Sequence, residues 1–336
     1  MAPASIPKNW IKKTLLKTGS LRLAARFAMP AAVMLMYHSV VENATLTENT
    51  IGTSKSSAIF EAHMRALARQ FTPVSIDQVV AFVNGGAQLP PRSVVVTFDD
   101  GFLDNYEVAL PILNRYGIPA TIYVLVDAVH TGIAPWYCRI NYALRTTQKP
   151  AWTDPENGHT FALDSPDNRK QALAAAWGAG ARKTGAAQAE YVRHLEESLE
   201  IQLPPEMNRL MLNWDQVRAL KKAGHVIGAH TLTHPNLAHV TKEEAQSEIA
   251  GSKQRLEKEL GEPVDHFSYP HPALNPNYSQ QTIQITRDQG FKSAVLTTSG
   301  PVRRGDDPLS LHRIYAANDL DQWTWNLQCT FLGRRV

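Results

Sequence analysis

Val94-Val95-Val96-Thr97-Phe98-Asp99-Asp100-Gly101 is an apolar run of strand-forming residues that stops on two adjacent carboxylates and a glycine. Such a run packs as a buried strand, and buried strands do not finish on paired acids by default. Standing alone, the Asp-Gly step would read as an ordinary turn. Side chains alternate along a strand, so Asp99 and Asp100 are expected to diverge, one available to a cation and the other to a reacting water.

Outward from this run, short apolar stretches alternate with amphipathic ones from Val33 onward, the pattern of parallel strands joined by crossover helices. Strands are expected at 33–37, 93–98, 121–126, 225–229, 266–269, 293–297 and 311–315, and helices at 60–70, 76–83, 105–116, 214–223 and 242–260. Thr241 and Glu244 form a capping box for the last helix, which Gly261 stops before Pro263. Seven strands are too few for a regular eight-stranded barrel and suit an incomplete one. Between about 131 and 210 the rhythm breaks into polar turns at 154–159 and an alanine-rich helix at 171–181, which reads as an insertion. Parallel strands deliver catalytic groups at their C-terminal ends, so an insertion after the third strand is expected over that face as a lid or substrate wall. The expected organisation is an N-terminal segment, 1–30, followed by a barrel domain, 31–336.

A second motif, Gly228-Ala229-His230-Thr231-Leu232-Thr233-His234-Pro235, places two histidines just after another apolar strand. Pro235 favours a loop or single turn over a helix. Two imidazoles and one carboxylate form a common facial set for zinc or a similar divalent ion, with positions left for water and substrate. A histidine pair alone is weak ground for a metal site, but the Asp-Asp pair at another strand end strengthens it. His225, expected to start its strand, and His239, expected to cap or pack the next helix, are left out of the set.

With 336 residues and 43% of them apolar, the chain can build one large α/β domain or two smaller ones. A net charge of +3 gives no reason to expect nucleic acid as partner. Cys138 and Cys329, far apart and outside any CxxC pattern, argue against a disulfide framework and fit a reducing compartment. The charge is uneven, because Lys8, Lys12, Lys13, Lys17, Arg22 and Arg26 all precede the first acid, Glu42. Apolar residues interleave with these bases, so residues 8–27 read either as a basic amphipathic helix lying on an anionic membrane or as a helix covering one end of the domain. Gly19 and Ser20 interrupt that pattern. No cleavable signal sequence and no membrane-spanning run is evident, so the expected location is the cytoplasm, free or peripheral at the inner membrane face.

Taken together, the two motifs resemble the NodB-like polysaccharide deacetylases, and the resemblance extends from Val33 to Tyr315. Thr97-Phe98-Asp99-Asp100-Gly101 matches the family's first motif in full, and His230-Thr231-Leu232-Thr233-His234 matches its second, H-[ST]-x-x-H. The resemblance implies a distorted (β/α)7 barrel of parallel strands with a helical insertion. It also implies one divalent metal, zinc with cobalt, manganese or nickel as alternatives, held by Asp100, His230 and His234, with Asp99 as catalytic base. Tyr37-His38 resembles the branch that acts on extracellular or lipid-linked polysaccharides, where His38 would border the site; Tyr269 is expected to face the substrate with it. The third motif departs: in Phe267-Ser268-Tyr269-Pro270-His271-Pro272, Ser268 stands where the family carries Arg and His271 where it carries Tyr. The family's oxyanion donor at that Tyr is a backbone amide, which His271 would supply, while the absent Arg normally orients the base. Arg313 is the expected substitute. Leu309-Ser310-Leu311-His312 resembles the last motif, Leu-x-His, and makes His312 the expected general acid, with His271 the chemical alternative. The implied activity is removal of N-acetyl or similar acyl groups from amino sugars of a polysaccharide, such as an exopolysaccharide, or of a lipid-linked glycan. The alternatives are a catalytically impaired, metal-containing carbohydrate-binding module and a hydrolase of another non-peptide amide.

Overall fold

The computed structural model describes residues 31–42 and 53–336, together with Lys12, Leu15, Leu16 and Thr18. Its frame is seven parallel strands: β1 (Ala31–Tyr37), β2 (Ser93–Phe98), β3 (Ala120–Val124), β4 (Val226–Ala229), β5 (His266–Ser268), β6 (Ser293–Val295) and β7 (Ile314–Tyr315). Hydrogen bonding runs β6-β5-β4-β3-β2-β1, and β7 lies against β1 with Leu35 opposite Ile314 and Met36 opposite Tyr315. The same C-terminal segment also reaches the other edge of the sheet, where Leu311 bridges Val295 and accepts a 2.9 Å bond from the Leu296 amide. Residues 311–315 therefore link both edges, and the curled sheet is the distorted (β/α)7 barrel.

Alternation along the strands builds two apolar layers from one sheet. In β2, Val94, Val96 and Phe98 face the surrounding helices, whereas Val95 faces inward. Inside, Ala32, Met34, Val95 and Tyr123 pack on Ile76, Val79 and Phe82, so the helix Ile76–Val83 plugs the end where the strands begin. Gly228 in β4 is part of that interior. A Cβ there would lie 2.5 Å from the Tyr123 ring and 2.9 Å from the His266 carbonyl, so only glycine fits.

Helices Ile76–Val83 and Lys242–Leu260 match the expected bounds, and Gly261 ends the second at φ 70°. Residues 105–116 are not one helix. A π-helical turn, Asn105–Ala109, precedes Leu110–Tyr116. Pro111 has no N–H to offer an α-helical partner, and the wider turn accommodates it, with the Leu110 amide donating to Asn105 O. The third strand stops at Val124, short of the expected 126, because Val126 opens the helix Val126–Thr131. Within 311–315 only Ile314–Tyr315 is strand.

The insertion packs three helices, Trp136–Thr146, Pro166–Ala181 and Gly185–Ser198, around an apolar cluster that includes Ile140, Trp152, Ala176 and Leu195. The Arg139 guanidinium clamps Glu196 through bonds of 2.8 and 2.6 Å, joining the first helix to the third. The polar turn at 154–159 connects an antiparallel hairpin, Ala151–Thr153 with Thr160–Ala162, which the sequence pattern did not reveal. The alanine-rich helix starts earlier than expected, at Pro166, behind an Ser165 cap. Of the basic segment 1–30, only the four residues named above are described, all helical, and the Lys12 ammonium donates to the Gln322 side chain at 2.7 Å. The rest of residues 8–27 lies outside the described residues. Among the described residues no helix is long and apolar enough to cross a membrane.

Candidate active site

The first motif leaves β2 at the C-terminal mouth of the barrel. The Asp99 amide donates to Tyr37 O at 3.0 Å, extending the β1–β2 ladder by one bond. Asp99 therefore keeps the pleat and points inward, as Thr97 does. Asp100 breaks it, with φ 75°, and Gly101 follows at φ 79°. The left-handed step at Asp100 gives the two acids separate partners, Arg313 and Ser268 for Asp99 and the imidazoles of His230 and His234 for Asp100. Thr231 and His234 also sit at φ 64°. A non-glycine residue in this region costs on the order of 1–3 kcal/mol, so both motifs hold strained backbone that their surroundings enforce.

The surroundings of the histidine turn are specific. Thr231 Oγ1 accepts from the His234 amide at 3.0 Å. Glu248, on the helix Lys242–Leu260, accepts from the amides of Leu232 and Thr233 at 2.9 and 2.8 Å and from Thr233 Oγ1 at 2.5 Å. Glu248 is buried, which pushes its carboxyl up to about 7 against the pull of those donors.

His230 Nδ1 lies 2.8 Å from Ser268 O. A carbonyl only accepts, so Nδ1 carries the hydrogen and Nε2 keeps its lone pair. That Nε2 is 3.4 Å from Asp100 Oδ1, and His234 Nε2 is 3.5 Å from the same oxygen. One ligand atom from each of the three residues lies within 4.8 Å of the others. Asp100 Oδ1 is buried without a hydrogen-bond partner. A tetrahedron around zinc with bonds of about 2.0–2.1 Å has edges of about 3.4 Å, so the spacing and the uncompensated carboxylate fit a divalent cation. Burial pushes His234 down to about 3, leaving it in the neutral form that ligates metals. Burial also opposes the charge on His230, but the Asp100 and Asp99 carboxylates outweigh it and raise that histidine.

Arg313 enters from the segment that closes the barrel. Its Nη1 and Nη2 each lie 2.7 Å from one oxygen of Asp99, its Nε donates to Leu296 O at 2.9 Å, and Nη1 and Nη2 also reach Thr97 Oγ1 and Ser268 Oγ at 3.1 and 3.0 Å. Burial would raise Asp99, but the Arg313 guanidinium, with His230, holds it below the usual carboxylate range. Ser268, standing where the family carries Arg, is small enough to leave this space to Arg313.

His38 lies just beyond β1, under the influence of Asp100, Asp99, Arg313 and His230, while its burial lowers it. Its segment is fixed by Asn105 Nδ2 donating to His38 O at 2.8 Å and by the Val40 amide donating to Asp104 at 3.0 Å. Three expected placements are corrected. Tyr269 alternates with inward-facing Ser268 and so points out, its buried hydroxyl donating to Leu309 O at 3.2 Å. It does not face the substrate. His312 alternates with inward-facing Arg313 and bonds Thr298 Oγ1 at 2.9 Å, with Gly300 against its ring. The His271 imidazole, the alternative acid, is exposed beyond β5, with no side-chain bond to the acids or imidazoles of the site among the described residues, which leaves the expected role of its backbone amide untouched. Neither histidine side chain meets the cluster. His225, just before β4, accepts from the Ala120 amide at 3.2 Å, and His239 contacts Asn275 O at 3.2 Å, both away from the ligand trio.

Sequence reasoning missed two contributions. From the insertion, Trp136 Nε1 donates to His234 O at 3.2 Å, and the Tyr137 ring lies 4.8 Å from the His234 ring, its buried hydroxyl unpartnered. The aromatic pair after Pro135 was the available signal. Glu248 gave none, because a carboxylate on a polar helix reads as solvated until the fold buries it.

A family described as polysaccharide deacetylase matches residues 86–294. The chain belongs to this polysaccharide deacetylase family. Such a deacetylase is a hydrolase acting on carbon–nitrogen bonds of acetylated sugars. It is 22% identical over 282 residues to YxkH of Bacillus subtilis (strain 168), whose name places it with the polysaccharide deacetylases, across 84% of this chain and 70% of YxkH. It is 33% identical over 88 residues to the poly-beta-1,6-N-acetyl-D-glucosamine N-deacetylase of Escherichia coli (strain K12), a match covering 26% of this chain and 13% of that protein. Streptococcus pyogenes deacetylase PplD, solved in complex with acetate, aligns with a TM-score of 0.58 at 20% identity, over 90% of this chain and 98% of its own. IcaB from Ammonifex degensii aligns with a TM-score of 0.56 at 19% identity, again over 90% and 98%. At such identities both structures speak to the fold, which the deacetylase shares.

Proposed function

We propose that this deacetylase releases acetate from N-acetylated amino sugars of a polysaccharide, with a divalent cation held by Asp100, His230 and His234. The observation that carries this reading is Asp100 Oδ1, buried, without a hydrogen-bond partner and facing two imidazole nitrogens. When bound, the cation supplies the Lewis acidity that makes an amide carbonyl and a water reactive near neutral pH. Zinc suits the donor set, and cobalt, manganese or nickel would serve the same three residues.

Asp99 accepts the proton of the attacking water. Its Oδ1 already receives Arg313 Nη1 and Ser268 Oγ, whereas Oδ2 receives Arg313 Nη2 alone, so Oδ2 keeps the lone pair for that proton. Arg313 keeps the carboxylate ionised and fixes its direction. As the water oxygen bonds to the acyl carbon and the carbon–nitrogen bond breaks, the departing amine needs a proton. We assign its delivery to His38, the imidazole just beyond β1 and outside the ligand trio, whose protonated form is opposed by burial and favoured by the Asp100 and Asp99 carboxylates. The products are acetate and the free amino sugar.

The first substrate to test follows from the Escherichia coli relative's name: β-1,6-linked N-acetylglucosamine oligomers. Acetate release across a panel of N-acetylated glycans should be lost in chelator and return with zinc, cobalt, manganese or nickel. Activity that survives complete metal removal, or no release from any glycan by the metal-loaded protein, sinks the reading. The basic residues 8–27 would suit a lipid-linked glycan at the inner membrane face. Co-sedimentation with anionic vesicles at low salt checks that part, and a protein that stays in the supernatant counts against it.

A further inference from the structure

Tyr315 is the last residue of β7 and is 52% exposed. Its neighbours explain where it stands. Arg313 turns inward to Asp99, and Ile314 turns outward into the core, so Tyr315 returns to the inward side above Arg313. Register places it opposite Met36 of β1. The imidazole of His38, just beyond that strand, lies 6.4 Å away with the ring planes only 8° apart. Burial raises its phenol, and the charges of Asp99, Arg313 and Asp100 act on it as well. A few residues on, Asn318 accepts from the Lys55 ammonium at 2.6 Å.

We infer that Tyr315, backed by His38, is a stacking ledge for a sugar ring adjoining the unit whose acetamido group is cleaved. The apolar face of a pyranose pairs with a flat aromatic surface, and polar side chains beside that surface serve its hydroxyls. Stacking costs little ordering, because the neighbouring His38 ring limits the phenol's freedom before any ligand arrives. The inference rests on the deacetylase reading of this site and extends it: the enzyme would recognise an oligomer rather than an isolated hexosamine.

Two variants of the full chain, Tyr315→Ala and Tyr315→Trp, decide it. With a β-1,6-linked N-acetylglucosamine tetramer, Tyr315→Ala should raise KM about fivefold, the effect falling on KM rather than kcat, and Tyr315→Trp should restore the affinity. An unchanged KM in Tyr315→Ala overturns the ledge. So does a loss confined to kcat, the signature of a ring that merely positions His38. Should the tetramer release no acetate, calorimetric binding of the same tetramer separates the two ideas. Binding weakened about fivefold by Tyr315→Ala keeps the ledge while the proposed reaction falls, and binding that is absent or indifferent to the substitution removes the ledge.

Discussion

Arg313 and Asp99, 214 positions apart in the chain, meet through two hydrogen bonds of 2.7 Å. The pair is buried, and every arm of the guanidinium is occupied, by Leu296 O, Thr97 Oγ1 and Ser268 Oγ as well as the carboxylate. A buried ion pair is weak evidence of stability in itself, but removing one partner leaves an uncompensated charge. Arg313→Met should therefore destabilise the fold by about 3–5 kcal/mol. Adding Asp99→Asn removes the orphaned charge, so the double variant should be more stable than Arg313→Met alone. Urea unfolding of the three proteins checks this, and equal stability of the single and double variants would refute it.

The two acids of the first motif should separate in function. Asp99→Asn retains a hydrogen-bonding group and touches none of the ligand trio, so the protein should keep its metal while turnover falls about 10²–10⁴-fold. His230→Ala removes a ligand atom and should lose both metal and turnover. Metal content measured on each purified variant, beside its acetate release, decides the assignment; full activity in either variant defeats it.

The parts of this site that were legible in the sequence are those whose chemistry is contiguous. Thr97 to Gly101 and His230 to His234 each announce themselves because a strand ends on residues that strands avoid. Arg313 was legible for a different reason: Ser268 left the base without its usual cation, and an arginine near the last strand was the obvious candidate. Alternation then decided what pattern matching could not. Because Arg313 faces in, His312 must face out, and because Ser268 faces in, Tyr269 must face out. Tyr137 was signalled only by the aromatic pair after Pro135, Glu248 was invisible since its importance comes from burial against the histidine turn, and the π-turn at 105–109 follows from the single missing N–H of Pro111.

Glu248 should govern metal affinity without touching metal. It holds the amides of Leu232 and Thr233, which span the turn between His230 and His234. Glu248→Ala leaves those donors without acceptors and frees a backbone held at φ 64° on both sides. Removing such supporting partners typically weakens metal binding about 10–100-fold. Metal titration of the variant reads the loss directly. Glu248→Gln should lose less, because its amide oxygen can still accept from both backbone groups while its NH2 donates to Thr233 Oγ1; identical metal affinity in wild type and Glu248→Ala would show that the turn needs no such support.

Asp104 makes a prediction about pH. Burial pushes its carboxyl up to about 7 from the ordinary 3.8, against the donors Ser39, Val40 and Asn105. A carboxyl raised in the folded state contributes fully below its unfolded pKa and loses that contribution as pH rises toward the folded one. Between about pH 4 and 7 the unfolded chain ionises here and the folded chain does not, so this group alone erodes stability by up to about 1.4 kcal/mol per pH unit. Asp104→Asn cannot ionise, and its geometry is compatible: the amide oxygen accepts from Val40 N and Asn105 Nδ2, and the NH2 donates to Ser39 Oγ. The variant should gain on the wild type steadily from about pH 4 to 7 and then hold a constant lead. Glu248 titrates in the same window but is common to both proteins and cancels. Urea unfolding of the pair at several pH values measures the difference, and a difference that stays flat across the window would mean that Asp104 is ionised in the fold.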